Sequence, residues 1–167
     1  METPFYALTI AYWLHMLATV VWIGGLAALS LVVLPAARSF EAEVYAAFMD
    51  RLQRRLDPLS WLSLVFLVGT GLFQMSANPN YSGFLAFDNR WALAILVKHI
   101  LFFAMTGVAA YLTWGLLPQL RRAALLRARG KNSADIAALA AREQTLVRLN
   151  LVLAVLVLAL TAIARAS

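Results

Sequence analysis

The chain has 167 residues, of which 63% are hydrophobic and 13% are charged. Soluble domains average roughly 45–50% apolar and 25% charged residues, so this composition excludes an ordinary water-soluble globule and a disordered chain. The absence of cysteine excludes a disulfide scaffold, an iron–sulfur cluster and a thiolate metal site. The net charge of +6 lies mostly between apolar blocks, which is typical of a membrane protein in contact with lipid and argues against a nucleic-acid partner.

Four apolar blocks are long enough to cross a bilayer, which takes about 20 residues in a helix. They cover residues 5–36, 56–76, 91–117 and 149–164. The first block is longer than a signal peptide and lacks a basic leader, so we expect it to stay in the membrane. Pro35 and Pro118 stand where two blocks give way to charged residues, and we expect them to mark helix ends. The sequence therefore predicts an all-α integral membrane protein, a single four-helix antiparallel bundle over residues 1–167.

The distribution of Lys and Arg predicts the orientation of the bundle. Eleven of the 14 basic residues fall between blocks one and two or between blocks three and four. By the positive-inside rule both stretches are cytoplasmic and both termini are outside, in a bacterial-type inner membrane. We expect residues 119–148 to form a cytoplasmic helical loop with a turn, after which Ser133 caps the next helix.

The two histidines of the chain, His15 and His99, both lie inside apolar blocks. Ionisable residues within a membrane are costly and usually face the bundle interior, so both are candidate functional residues. Each lies about five residues, or ~8 Å at 1.5 Å per residue, outward of the middle of its span. The two imidazoles are therefore predicted at one level, where they could bind one haem b as its axial ligands. The alternative is that each histidine only hydrogen-bonds across a helix interface.

Neighbouring residues on the same faces complete the predicted cofactor site. Small side chains leave a lane beside His15, and an aromatic ring near His99 could pack against a flat macrocycle. Lys98 could balance a haem propionate, bind an anion or transfer protons, and its alternative is to extend its long stem to the interface. Besides the histidines, the predicted cofactor-binding residues are Ala18, Trp22, Gly25, Lys98, Phe103 and Thr106.

Copper is the alternative metal for His15. Thioether and imidazole ligands together suit Cu(I), and three methionines lie in the spans at Met16, Met75 and Met105. They form no Met-x-x-Met or His-x-Met cluster, so the sequence alone gives little support to a copper site.

Motifs along the chain resemble those of a known family. Residues 13–26, WLHMLATVVWIGGL, are similar to the opening helix of the copper resistance protein D (CopD) membrane domain, in which a His stands seven residues before a Trp-x-Gly-Gly. Similar features follow in order: Gly69-Thr70-Gly71-Leu72, Lys98 and Leu116-Leu117-Pro118. The resemblance covers all four spans and implies a membrane protein that handles copper.

The chain also resembles the related HemJ-type family of membrane protoporphyrinogen oxidases, which are thought to bind haem b. The shared features are the spacing from His15 to Trp22, a lysine in span three, and basic residues with a proline near the start of span two, here Arg54, Arg55 and Pro58. This resemblance implies that His15 is a haem ligand and that Lys98 is functional. The pattern carried over from the two families does not include His99, so ligation by both histidines rests on their matched depth.

From these observations we expect a membrane b-type cytochrome-like protein that binds one haem b through His15 and His99. It would exchange electrons with a quinone or a partner protein, as a subunit of a larger respiratory or photosynthetic complex. Three alternatives stay open: a CopD-like copper transport or resistance protein, a HemJ-like porphyrinogen oxidase, and a structural subunit without a cofactor.

Overall fold

Four long helices account for the architecture of the protein. The computed structural model describes residues 5–85, 87–131 and 135–166. The helices are α1 (Phe5–Ser39), α2 (Ala42–Ser76), α3 (Arg90–Ala128) and α4 (Ile136–Ala166), and each is long and apolar enough to cross a membrane. Within the described ranges there is no strand. The prediction of an all-α membrane protein with four spans is therefore confirmed.

Three helices extend beyond the apolar blocks that predict them. Helix α2 begins at Ala42 rather than at residue 56, α3 ends at Ala128 rather than at residue 117, and α4 begins at Ile136 rather than at residue 149. These extensions are rich in Ala, Leu and Arg, which favour helices without requiring an apolar environment. The expected helical loop thus consists of the end of α3, a turn and the start of α4.

The extensions give the bundle two chemically different ends. The basic end comprises residues 34–57, 116–131 and 135–148 and carries 11 of the 14 basic residues. The terminal end comprises residues 5–12, 74–85, 87–93 and 160–166. Gly130 adopts a positive φ of 66° in the turn after α3, a conformation that glycine adopts without strain. The predicted cap Ser133 lies outside the described residues.

The two prolines do not act alike as helix ends. Pro35 lies in the last turns of α1, which ends at Ser39. The expectation that Pro118 marks a helix end is wrong, because α3 remains helical through Pro118 to Ala128. A proline inside a helix lacks an N–H donor, and its ring clashes with the carbonyl four residues back. The backbone upstream of each proline shows how this clash is relieved.

A π-helical turn precedes both Pro35 and Pro118. These wider turns are Leu29–Val33 in α1 and Tyr111–Leu116 in α3. The residue directly before each proline, Leu34 or Leu117, donates its N–H to the carbonyl five residues back instead of four. The wider turn makes room for the proline ring and keeps the backbone hydrogen-bonded, which a helix in lipid requires.

Pairs of neighbouring helices form the bundle. Helix α1 packs along α2, and α3 packs along α4, while α2 meets α3 at the basic end and α1 meets α4. Helices α1 and α3 therefore occupy opposite corners, and they touch through Trp22 and Phe102, whose ring centroids are 5.6 Å apart in an edge-to-face arrangement. Large apolar side chains such as Val20, Leu31 and Val65 are about two-thirds exposed on the outside. These outer surfaces imply contact with lipid.

A buried carboxyl group lies in the core of the basic end. Glu143 is fully buried, and its Oε2 accepts a hydrogen bond of 2.9 Å from the Tyr45 hydroxyl. Its Oε1 has no hydrogen-bond partner among the described residues. Its partner Tyr45 belongs to the same hydrophobic core as Leu34, Met49, Leu116 and Val147. The hydroxyl of Tyr45 is thus the group that compensates for the burial of Glu143.

Replacing Tyr45 by phenylalanine tests this compensation. We expect Tyr45→Phe to destabilise the protein by about 1–3 kcal/mol, because it leaves a buried carboxyl group without its donor. A Tyr45→Phe/Glu143→Leu double variant should lose less stability than Tyr45→Phe alone, since no buried acceptor is then left unpaired. Thermal unfolding in detergent measures both, with Tyr81→Phe, an exposed tyrosine, as the control. Equal melting temperatures for Tyr45→Phe and Tyr81→Phe would contradict the interpretation.

Candidate functional site

His15 is held at the interface of α1 and α2 by a hydrogen bond to Thr70. The distance from Nδ1 of His15 to Oγ1 of Thr70 is 2.9 Å. The hydroxyl proton of Thr70 is donated to the carbonyl of Phe66, one turn back in α2. Because a hydroxyl has a single proton, Oγ1 of Thr70 must accept from His15, and Nδ1 therefore carries the imidazole proton. The lone pair of the neutral ring lies on Nε2, for which the described residues provide no hydrogen-bond partner.

The helix that faces His15 has no side chain at the point of closest approach. A Cβ added to Gly71 would lie 3.4 Å from Cε1 of His15, so glycine allows α2 to pack against the ring. Gln74, one turn further on, donates a hydrogen bond of 3.0 Å from Nε2 to the carbonyl of Ala11. This contact is a hydrogen bond between α2 and α1. Together the two contacts fix the height of α1 relative to α2.

Two positive charges lie near this site. Lys98 and Arg165 both exert an electrostatic effect on His15. Lys98 is half-buried on α3, and the guanidinium of Arg165 lies 4.9 Å from the ring centroid of Tyr12. His15 therefore faces a terminal end whose nearby charges are cationic.

His99 makes a different set of contacts. Its Nδ1 lies 2.7 Å from the carbonyl of Ile95, one turn back in α3, so this nitrogen also carries the proton. The ring of Phe84, from the connection between α2 and α3, packs edge-on against the imidazole with centroids 5.0 Å apart. His99 is thus held by its own helix and by the connection, whereas His15 is held by a neighbouring helix.

The remaining predicted site residues are distributed over several surroundings. Ala18 and Trp22 are buried in the bundle core. Gly25 lines a cavity further towards the basic end. Thr106 is half-buried and donates its hydroxyl to the carbonyl of Phe102. Phe103 is 63% exposed on the outside of the bundle. Ala18 and Trp22 therefore lie in the core on the basic side of His15, whereas Phe103 lies on the outer surface of the bundle.

Neither of the two cavities described for residues 5–85, 87–131 and 135–166 lies beside the histidines. The Trp22–Phe102 contact fills the core between the two helices that carry them. Two cavities, of about 100 Å³ and 160 Å³, lie on the basic side of this contact, and neither is lined by His15 or His99. Over the described part of the chain, no group of three or more His, Cys, Asp or Glu could hold a metal ion. The residues present do not form a ready haem pocket.

Asp57 and Thr70 are site residues that the sequence analysis missed. Thr70 appears there within a family motif without a role, and the His15 contact could not be seen because it depends on which face of α2 meets α1. Asp57 follows Arg54 and Arg55 in the sequence, which favours an interfacial charge cluster, but it lines both cavities. Gln53, Asp57 and Ser60 are spaced four and three residues apart, so they lie on one helix face. This spacing could have predicted a polar face on α2.

Comparison with known proteins identifies one family. A family model described as copper resistance protein D (CopD) matches residues 50–164. The matched region runs from α2 to the end of α4 and includes Thr70, Gly71, Lys98 and His99, whereas His15 precedes it. No curated protein and no solved structure matches the chain significantly.

Two glycines of α2 offer a matched test of the His15 site. A leucine at Gly71 would begin 3.4 Å from the imidazole, whereas a Cβ at Gly69 has nothing within 4 Å. We expect Gly71→Leu to lower the stability by about 1–3 kcal/mol through overpacking, and Gly69→Leu to leave it nearly unchanged. Thermal unfolding in detergent measures both. An equal loss in the two variants would show that α2 does not pack closely on His15.

Proposed function

The chain belongs to the copper resistance protein D family, and from this premise we propose that it binds copper as its substrate, with Nε2 of His15 as a ligand. The observation that carries the proposal is the hydrogen-bond arrangement of His15. A metal-binding histidine typically donates its other ring N–H to an oxygen, which fixes the tautomer and the direction of the ring. Thr70 accepts that hydrogen bond here. The imidazole is therefore oriented and deprotonated at the nitrogen that a metal needs.

The methionines of the bundle support copper over harder metals. Thioether and imidazole groups favour Cu(I). Met75 and Met105 are both buried, whereas Met16 is 57% exposed and faces outward. Met75 lies one turn from Gly71 towards the terminal end, and Met105 packs in the core with Ala18 and Trp22. Two thioethers thus lie inside the bundle on either side of the level of His15.

The charges near His15 favour transient rather than permanent binding. Lys98 and Arg165 repel a cation at this position, so they weaken the hold of the imidazole on copper. A site through which an ion passes must bind it strongly enough to admit it and weakly enough to release it. We therefore infer a passing or handover site rather than a storage site. By the positive-inside rule, the protein lies in a bacterial-type inner membrane with the basic end in the cytoplasm and His15 in the outer half.

Haem b binding is the second candidate. It is favoured by one observation, that Nδ1 of His99 is also bonded to an oxygen, which leaves Nε2 of both histidines as the possible ligand atoms. Haem would supply one-electron chemistry for exchange with a quinone or a partner protein, or for porphyrinogen oxidation. The Trp22–Phe102 contact and the packing of Phe84 on His99 oppose it. For this reason copper binding is the preferred proposal.

Copper affinity distinguishes the roles of the two histidines. We expect His15→Ala to weaken Cu(I) binding at least about tenfold. Thr70→Val should weaken it by a similar factor, because a group that hydrogen-bonds a metal ligand contributes about 10–100-fold to metal affinity. His99→Ala is the matched control and should retain the affinity. Competition with bicinchoninate for Cu(I), using the detergent-purified protein, measures each variant. Unchanged affinity in His15→Ala would refute the proposal.

A visible spectrum tests the second candidate directly. We expect the purified protein, after incubation with haem and removal of unbound haem, to show no Soret band and no sharp α-band in a reduced-minus-oxidised spectrum. A b-type spectrum that disappears in both His15→Ala and His99→Ala would instead establish ligation by both histidines. A spectrum lost only in His15→Ala would point to a site of the HemJ type.

A further inference from the structure

Two adjoining cavities lead from the basic end into the centre of the bundle. The cavity nearer the basic end, of about 160 Å³, is bordered by Asp50, Arg54 and Arg121, whose side chains are partly exposed. The central cavity, of about 100 Å³, is lined by all four helices and ends at Trp22. The residues that line both cavities are Gln53, Asp57, Thr113 and Leu117. Because they share these residues, the two cavities adjoin each other.

Asp57 gives the inner part of this path a negative charge. It is the single charged residue among the described residues that line the central cavity. The nearby arginines are engaged elsewhere, because Arg54 and Arg121 both pair with Asp50. Among the ion pairs of the described ranges, none involves Asp57, and its carboxyl interacts with the side chain of Thr113. The carboxyl group therefore stands at the junction of the cavities without a cationic partner.

Asn150 supplies a second acceptor inside the central cavity. The residue is 2% exposed and lines the cavity from α4. Its Oδ1 has no hydrogen-bond partner in the part of the chain that the structure describes. A buried polar atom without a partner is costly, so a donor or a cation in the cavity would stabilise it. The indole rings of Trp22 and Trp61 also line the cavity, and aromatic rings attract cations.

We propose that the two cavities form a water-filled vestibule open at the basic end, and that Asp57 makes it a binding site for small hydrophilic cations. The vestibule lies on the opposite side of Trp22 from His15. Its ligand atoms are carboxylate, amide and hydroxyl oxygens, which suit hard cations or protonated amines and not Cu(I). The site is therefore separate from the proposed copper site and independent of it.

Cysteine accessibility tests the vestibule, because the chain has no native cysteine. Ser60 lines the central cavity. Ser63, one turn along the same helix, is 5% exposed, lines neither cavity, and donates its hydroxyl to the carbonyl of Leu59. Ser60→Cys and Ser63→Cys are therefore matched variants. The reagents are a cationic and an anionic methanethiosulfonate, trimethylammonium-ethyl and sulfonatoethyl, applied separately to each side of reconstituted vesicles.

Each labelling rate is divided by the rate of the same reagent with 2-mercaptoethanol, so that intrinsic reactivity cancels. We expect Ser60→Cys to be labelled from the basic side, and Ser63→Cys to be labelled far more slowly. The normalised rate should be about tenfold higher for the cationic reagent, since a charged cleft concentrates ions of opposite sign. Equal labelling of Ser60→Cys and Ser63→Cys, or labelling of Ser60→Cys from the terminal side alone, would overturn the vestibule.

The role of Asp57 is tested in the same background. Asp57→Asn should abolish the preference for the cationic reagent, whereas Asp57→Glu, which keeps the charge and controls for folding, should retain it. An unchanged preference in Asp57→Asn would overturn the cation site. Addition of sodium or methylammonium, at constant ionic strength maintained with N-methylglucamine, should slow the labelling of Ser60→Cys by the cationic reagent. The cation that slows it shows which kind of cation binds. If neither slows it, the carboxyl group attracts cations without binding them, and the binding proposal fails.

Discussion

The hydrogen bonds of the backbone set the frame for the whole structure, because hydrocarbon offers no water to replace a missing partner. Each of the four spans is helical, and even Pro35 and Pro118 are accommodated by a changed hydrogen bond rather than by a break. Hydroxyl groups follow the same constraint, since Thr19, Ser63 and Thr106 each donate to a carbonyl four residues back. Between α1 and α2, the two described side-chain hydrogen bonds, those of Thr70 and Gln74, lie at the candidate site.

The number and order of the helices could be predicted from the sequence, but their ends could not. Hydropathy reports the length of chain that suits hydrocarbon, not the length that is helical. The extensions of α2 and α4 are charged yet helical, since Ala, Leu, Glu and Arg support helix in water and at the interface. The prediction of a helix end at Pro118 is wrong for a related reason. Its effect depends on whether the preceding turn can widen, and the sequence pattern does not show that.

The depth of His15 could be predicted, but its partner could not. Depth follows from counting residues along one helix, whereas the contact with Thr70 depends on the rotation of α2 against α1. Asp57 illustrates the same limit. Its spacing from Arg54 is compatible with an ion pair on one helix, yet Arg54 pairs with Asp50 at the preceding turn. Because Arg54 pairs with Asp50, Asp57 forms no ion pair with Arg54 and lines the two cavities instead.

The π turns have a consequence for how any helix of this kind is aligned with another sequence. On α1 the buried residues Ala11, Ala18, Trp22 and Leu29 follow intervals of seven and four, and the next buried leucine, Leu34, comes five residues later. One extra residue corresponds to a rotation of about 100° about the helix axis. The residue spacing that keeps side chains on one face before the π turn therefore does not keep them on that face across it. A single heptad register drawn through the helix would assign Pro35 and its neighbours to the wrong face. Loss of one residue within the turn would restore a uniform register and rotate the whole terminal half of α1, including the imidazole, relative to the basic end.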